Sequence, residues 1–278
     1  MSTRQGRRDL LIGSILMILV IFTLFPYVFM VVTSLKDNDQ FHTSYWIPSL
    51  PFHWENYTAA WNQISVYIMN SLIVACTSMI GVLVLSSIAA FVFARYKFLG
   101  RNFLFTMIAA LLMVPSISSL VPLFILVRDM GLINTRLALI LPYMASGSIF
   151  ATFLMRTFFQ QVPNELFEAA HIDGAAGWQA YFYVMLPLSG PIIGTIILLT
   201  LTTVWNDYFW PLLTLTDDNL RTVTTGLAFL QGQNVTLWGP LFAGYVLASL
   251  PLVIVYFFAS RYFIAGVGGV VGGGDMLK

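Results

Sequence analysis

At 278 residues, with 58% hydrophobic and 9% charged side chains, the chain is far more apolar than a soluble domain, whose charged fraction is about 25%. That composition excludes an ordinary soluble protein and describes one dissolved in a bilayer. A net charge near +1 says nothing about an acidic partner, and the single cysteine, Cys76, excludes an internal disulfide or a cysteine metal site.

Six apolar stretches, near 10–33, 66–94, 103–127, 137–158, 181–204 and 240–262, are long enough to cross a hydrocarbon core of ~30 Å as helices. The expectation is an all-α membrane protein with six transmembrane helices. The first stretch holds 16 Leu, Ile, Val or Phe residues, so its insertion is favourable by roughly 5–10 kcal/mol before polar and small residues are discounted. It begins like a signal peptide, but it is too long for a signal's apolar core and no small-residue cleavage pattern follows, so it reads as a retained span. Orientation follows from Lys and Arg alone. With both ends on one side, that side carries nine basic residues and the other carries four (Lys36, Arg128, Arg136, Arg221), which predicts cytoplasmic termini.

Residues 1–9 are a basic arm that holds the first span in orientation. Pro26 should kink that span, because proline lacks an N–H and crowds the preceding turn. Residues 34–65 read as an outer loop containing Trp46, Trp54, Tyr57 and Trp61. Aromatics beside spans commonly mark the bilayer interface, a reading that outweighs sugar stacking. The second span carries Gly81, Ser86, Ser87, Ala89 and Ala90, and small faces of this kind predict close helix packing. Arg95 to Arg101 forms a basic inner turn. The third span contains two breaks, at Pro115 and Pro122. Broken helices are tolerated in membranes where they line a cavity or are covered by protein, so Pro115 and Pro122 mark a candidate pathway wall. Gly131 to Thr135 is an outer turn, and Pro142 lies in the fourth span.

Between the fourth and fifth spans comes the one long stretch that mixes acidic, small and apolar residues. Asn164 is placed to cap a helix start, and Glu165 stands where the positive end of the helix dipole favours a carboxylate. A short helix, 165–172, is then stopped by Asp173-Gly174, since glycine adopts the left-handed conformation of a C-terminal cap with little penalty. The chain restarts from Ala175 into Tyr181, Phe182, Val184, Met185 and Leu186. Leu166, Ala169, Ala170 and Ile172 fall near one another at helical spacing, and the alanines let a partner's backbone come close. The residues alone fit a docking helix or, for a lone amphipathic turn, an interfacial helix resting on lipid.

The fifth span runs into Trp205-Asn206-Asp207-Tyr208-Phe209-Trp210-Pro211-Leu212. On physics alone this is an aromatic belt with a turn; Asn206 and Asp207 extend the candidate pathway. Thr222 to Leu227, then Gln231-Gly232-Gln233-Asn234, read as an outer loop whose amides suit a hydroxyl-rich ligand and plain solvation equally. The last span contains Pro251.

Glu168-Ala169-Ala170, Asp173-Gly174 and Leu186-Pro187, with a further Pro191, together resemble the EAA signature of the membrane subunits of ATP-binding-cassette (ABC) importers. Met113 to Thr135 also resembles that family, and Trp205 to Leu212 resembles a stretch of its sugar-importing permeases. The resemblance covers nearly the whole chain and lies nearest the maltose-permease G-subunit type. It implies a type I ABC importer permease fold in the cytoplasmic (inner) membrane of a bacterium or archaeon. The implied division is an N-terminal arm, span and outer loop over 1–65, a permease domain over 66–262 with a coupling loop at 164–187, and a Gly-rich tail over 263–278. Glu165, Glu168, Ala169, Ala170, Asp173, Gly174, Leu186 and Pro187 would belong to the loop that sits in a cleft of the ATPase. Gln231, Gly232, Gln233 and Asn234 align with a scoop that enters the sugar-binding protein. The family's tail ends in Gly-Val-Lys-Gly; counted without gaps from Arg261, Gly266 and Gly274 match, but Gly273 stands at the lysine position.

The implied partners are a second, related permease subunit, two ATP-binding subunits, an extracytoplasmic solute-binding protein and the lipid bilayer, with no nucleic acid. No Gly-x-x-x-x-Gly-Lys-Ser/Thr phosphate cradle occurs, so ATP and Mg are expected on the partner ATPase, with no cofactor or metal on this chain. His42, His53 and His171 all lie outside the spans, which argues against an intramembrane enzyme or a proton-coupled carrier. The expected function is ATP-driven import of a sugar or oligosaccharide. The alternatives are import of another polar solute, such as a glycerol phosphate, and a non-transporting membrane scaffold.

Overall fold

The computed structural model describes the backbone of residues 2–231 and 237–271 and the side chains of residues 8–231 and 237–258. All regular structure among these residues is helical. The order begins with α1 (Ser2–Ser34), α2 (Asn38–Thr43), α3 (Glu55–Arg95), α4 (Arg101–Leu111), α5 (Ser116–Asp129), α6 (Leu137–Phe159) and α7 (Glu165–Ile172). It continues with α8 (Gly177–Gln179), a π-helical turn (Ala180–Met185), α9 (Leu186–Leu188), α10 (Gly190–Asn206), α11 (Phe209–Thr214), α12 (Val223–Gln231) and α13 (Trp238–Val271).

Among the described residues four helices, α1, α3, α6 and α13, are long and apolar enough to cross a membrane, and two more spans are added if each of two bent pairs counts as one. Those pairs are α4 with α5, bent by 97°, and Gly177–Leu188 with α10, bent by 75°. α1, α6 and α13 run unbroken through Pro26, Pro142 and Pro251. The expected outer loop at 34–65 is shorter than its polarity suggested: α2 occupies part of it, and α3 starts at Glu55. Asp37 caps α2 by accepting from the Gln40 N–H at 2.7 Å, and Gln40 accepts in return from the Asp37 N–H at 3.2 Å.

The chain forms two compact units. The first joins the residues up to Ser65 with Gly226–Leu250. Its core is aromatic: Phe41 stacks on Trp238 at 4.8 Å, and Phe29 meets Phe242 edge-on at 5.7 Å. Lys36, counted above as an outer charge, is 1% exposed. Its ammonium donates to the carbonyls of Ser44 and Tyr45, and burial pushes its pKa down. Asn56 Nδ2 donates to the carbonyls of Ser34 and Lys36 at 2.9 and 2.8 Å. A Cβ at Gly239 would lie 2.1 Å from that Lys36 carbonyl oxygen, so the start of α13 needs glycine there.

The second unit joins Val66–Thr225 with the chain from Pro251. Here α6 is the common neighbour of α4, α10 and α11. The core beneath it gathers Val82, Phe91, Met155, Phe159, Tyr181 and Ile196. Small residues set its tightness, because a Cβ at Gly147 would stand 2.8 Å from a Val82 methyl. Ser86 and Ser87, which sequence placed on a packing face, are buried, and Ser87 Oγ hydrogen-bonds to Tyr181 Oη at 2.7 Å.

Candidate functional site

Two features of the second unit carry the residues singled out above: an elbow at 159–190 and a cleft beside Asp207. In the elbow, α6 ends on buried Phe159, the chain turns, and α7 projects with no buried residue. Leu166 is 44% and Ile172 85% exposed; Glu165, Glu168 and Ala169 are exposed and Ala170 half-buried. The corner forms as its residues dictate. Gly174 takes φ +81°, and the N–H groups of Asp173, Gly174 and Ala175 return to the carbonyls of Ala169, His171 and Ala170 at 2.9–3.0 Å. Beyond it Tyr181 and Met185 enter the core, Leu186 is half-buried, and Pro187 is exposed.

One expectation fails at the start of α7. Asn164 makes no side-chain cap, because its backbone is already helical, with φ −67° and ψ −29°. Its Oδ1 accepts instead from Arg95 at 2.6 Å. The same guanidinium donates to the carbonyls of Phe159 and Val162, both at 2.6 Å, and lies 4.1 Å over the Phe167 ring. Arg95 thus roots the knob on the end of α3. In the sequence it had counted only toward orientation, since nothing local ties it to residues 64 to 72 positions away.

The cleft lies where α4 and α5 part. The N–H groups of Leu112, Met113 and Val114 bond three residues back, and Pro115, with no N–H and extended ψ of 126°, ends the run and starts α5. Pro122 was expected as a second break and is not one: α5 is continuous across it. The missing N–H leaves one carbonyl, that of Ser118, without its helical partner, which a membrane helix tolerates. Opposite, α10 stops at Asn206. Asp207 Oδ1 accepts from the N–H groups of Phe209 and Trp210 at 3.0 and 3.2 Å and so opens α11, while Oδ2 accepts from Tyr143 Oη at 2.8 Å. The cleft, about 590 Å³, is walled by the break, α5, α6 and α11 and includes Asp207. Of the four pathway candidates only Asp207 lines it; Asn206 turns its amide to the Thr202 carbonyl.

The aromatic belt reading of 205–212 gives way to a mixed one. Trp205 and Trp210 are buried, Trp210 donating to the Ala138 carbonyl at 2.9 Å, whereas Tyr208 and Phe209 are exposed. After α11 the chain forms a strap. Asn134, at φ +62°, accepts from the N–H groups of Thr216 and Asp217 at 3.0 and 2.9 Å and donates its own N–H to Thr214. Asn70 Nδ2 holds the carbonyls of Asn219 and Arg221, Arg136 holds Asn70 Oδ1, and Ser71 Oγ accepts from the Val223 N–H. That last bond explains another correction. Thr222 to Leu227 was expected as loop, but α12 starts at Val223, and Val223, Thr225 and Leu227 are buried. Gln231 closes α12, with Tyr245 Oη 3.5 Å from its Oε1. Gly232, Gln233 and Asn234, like Gly273 and Gly274 of the tail, lie outside the described residues.

Comparison with known proteins finds relatives over most of the chain. Residues 82–268 match the family described as "Binding-protein-dependent transport system inner membrane component". The chain is 34% identical over 273 residues to the diacetylchitobiose uptake system permease protein NgcG of Streptomyces coelicolor, covering 96% of this chain and 90% of that protein. It is 30% identical over 277 residues to the sn-glycerol-3-phosphate transport system permease protein UgpE of Yersinia pestis, covering 96% and 98%. Its fold is that of a chain in the crystal structure of a bacterial ABC transporter involved in the import of the acidic polysaccharide alginate, with a TM-score of 0.83 at 21% identity over 94% of this chain and 98% of that one. The chain therefore belongs to the inner-membrane permease components of binding-protein-dependent ABC transporters, a family of multi-pass transport subunits and not of catalytic enzymes.

Proposed function

We propose that this chain is one of two related permease subunits of a carbohydrate importer, with six spans, both termini in the cytoplasm and α7 docked on a partner ATPase. The observation that carries the reading is α7 itself: a helix with no buried residue, held at its base by Arg95. An exposed knob on a stiff root suits a part that transmits motion. In this mechanism ATP closes the partner ATPase pair, the knob moves with it, and the permease pair turns from inward-open to outward-open. The nine-to-four split of basic residues supports the cytoplasmic placement of the elbow. The amides of Gln231, Gln233 and Asn234 would meet the loaded binding protein on the other side. Similarity to a diacetylchitobiose permease supports carbohydrate as the solute.

The test is co-expression of this chain with its cognate permease, ATPase and binding protein, followed by uptake into proteoliposomes. Ala169→Asp places a carboxylate on the exposed knob, where docking would bury it unpaired and its bulk would hold the partner off. Co-purification of the ATPase and ATP-driven uptake should both fall by more than tenfold. Normal co-purification and uptake in that variant would return α7 to an interfacial helix.

A further inference from the structure

The cleft beside Asp207 has a chemistry that the importer reading leaves unused. Its walls are largely aliphatic, with Leu120, Leu123 and Ile149 among them, and its volume of about 590 Å³ is within the range of small-molecule sites. The polar residues among its lining are Ser116, Ser119, Ser146, Tyr143 and Asp207. Ser116 and Ser119 stand three residues apart on the first turn of α5, so both fall on one face. Phe209, 56% exposed, adds an open ring.

The hydrogen-bond capacity of Asp207 is largely but not wholly used. It accepts from two backbone N–H groups and from Tyr143, and a carboxylate has about four acceptor sites, so one stays open to a ligand donor. Ser146 Oγ gives its proton to the Pro142 carbonyl at 2.9 Å and so faces the cleft as an acceptor. Among the described residues that line the cleft, none is Lys, Arg or His. An anion entering would meet a carboxylate in apolar surroundings with no cation to balance it, which opposes binding strongly. A ring of hydroxyls can donate to Asp207 and Ser146 and accept from Ser116 and Ser119, and it brings no charge.

We propose that this cleft is a subsite for an uncharged carbohydrate ring, held by Asp207 and the α5 serines, and that Asp207 excludes anionic solutes such as a glycerol phosphate or a uronate. The proposal rests on the importer reading and narrows it: this chain would bind solute itself and select for neutrality, although one relative is named for sn-glycerol 3-phosphate.

Equilibrium dialysis of the purified complex, locked with ATP and vanadate and without binding protein, tests it free of the binding protein's own selectivity. The probes are radiolabelled diacetylchitobiose, maltose and sn-glycerol 3-phosphate. A neutral disaccharide should bind at least tenfold more tightly than sn-glycerol 3-phosphate. Asp207→Asn keeps an oxygen for the two backbone N–H groups, so it should leave assembly intact while shrinking that preference by about tenfold. Ser119→Phe, which fills the cleft, should abolish disaccharide binding with the ATPase still attached. A preference unchanged in Asp207→Asn, or tight binding of sn-glycerol 3-phosphate by the unmodified complex, overturns the subsite and leaves the importer reading standing. ATP-driven uptake of none of the three solutes by the unmodified complex with its binding protein would overturn that reading, and the subsite with it.

Discussion

The elbow at 159–190 and the strap at 215–223 both follow helices of the second unit, yet they are held by opposite means. α7 has no fully buried residue; its Phe167 packs against Phe91 of the core, and Arg95 gathers two carbonyls, an amide oxygen and that Phe167 ring at its base. The strap is bonded along its length, with Asn134, Asn70 and Ser71 each taking backbone groups from a different part of it. A largely exposed knob on a compact root passes on a push as a rigid body. A segment bonded at many points resists one and gives way gradually. The two should therefore respond differently to loss of a single side chain.

The sharpest break is expected at the root. Arg95→Ala removes three hydrogen bonds from a charged donor, each worth roughly 1.5–3 kcal/mol and not additive, and leaves the carbonyls of Phe159 and Val162 short of a partner. The ATPase should still bind, since the face of α7 is unaltered, but uptake should fall by tenfold or more while ATP hydrolysis continues. Arg95→Lys should recover little, because one ammonium cannot span three acceptors and cover the Phe167 ring together. Hydrolysis and uptake measured side by side would show it. Full coupling in Arg95→Ala would move the root to Tyr181 and Met185 in the core.

A smaller effect is expected at the corner, where the question is whether backbone conformation or space matters. Among the described residues nothing lies within 4 Å of where a Cβ on Gly174 would be, so the demand they leave is φ +81°. Gly174→Val should cost about 1–3 kcal/mol of local strain and lower uptake several-fold, with the ATPase still bound. Gly174→Asn, which tolerates that conformation, should be close to unaltered. Equal losses in both would mean that the partner's surface, and not the turn, needs glycine at this point.

The same contrast governs what could be read from the residues. The elbow was legible because its signals are local: Gly174 stops α7, Ala169 and Ala170 thin one face, and the acidic first turn suits a helix start. The broken third span was legible at Pro115 for the same reason, although Pro122 carries an identical signal and does nothing visible. Arg95 and the strap were not legible. Their bonds join residues 64 to 152 positions apart, and a long-range hydrogen bond leaves no periodicity in the sequence. Asp207 falls between these cases. Its place in an aromatic run marks a turn, but its cap on α11 and its partner Tyr143 from another helix are visible only in the fold.

The mildest change is predicted in the strap, where loss of one clasp should stay local. Asn134 serves in two ways, as a residue at φ +62° and as the acceptor for the Thr216 and Asp217 amides. Asn134→Gly keeps the first and removes the second. Asn134→Ala loses both, with a further ~1 kcal/mol for a Cβ in the left-handed region. Each exposed hydrogen bond is worth about 1 kcal/mol, so the amides of Thr216 and Asp217 should exchange with solvent about fivefold faster in the glycine variant and faster again with alanine. The Val223 amide, held by Ser71 Oγ, should keep its protection, and uptake should hardly alter. Loss of protection spreading to Val223 would mean that the strap opens as one piece, and its contrast with the elbow would then be one of size and not of kind.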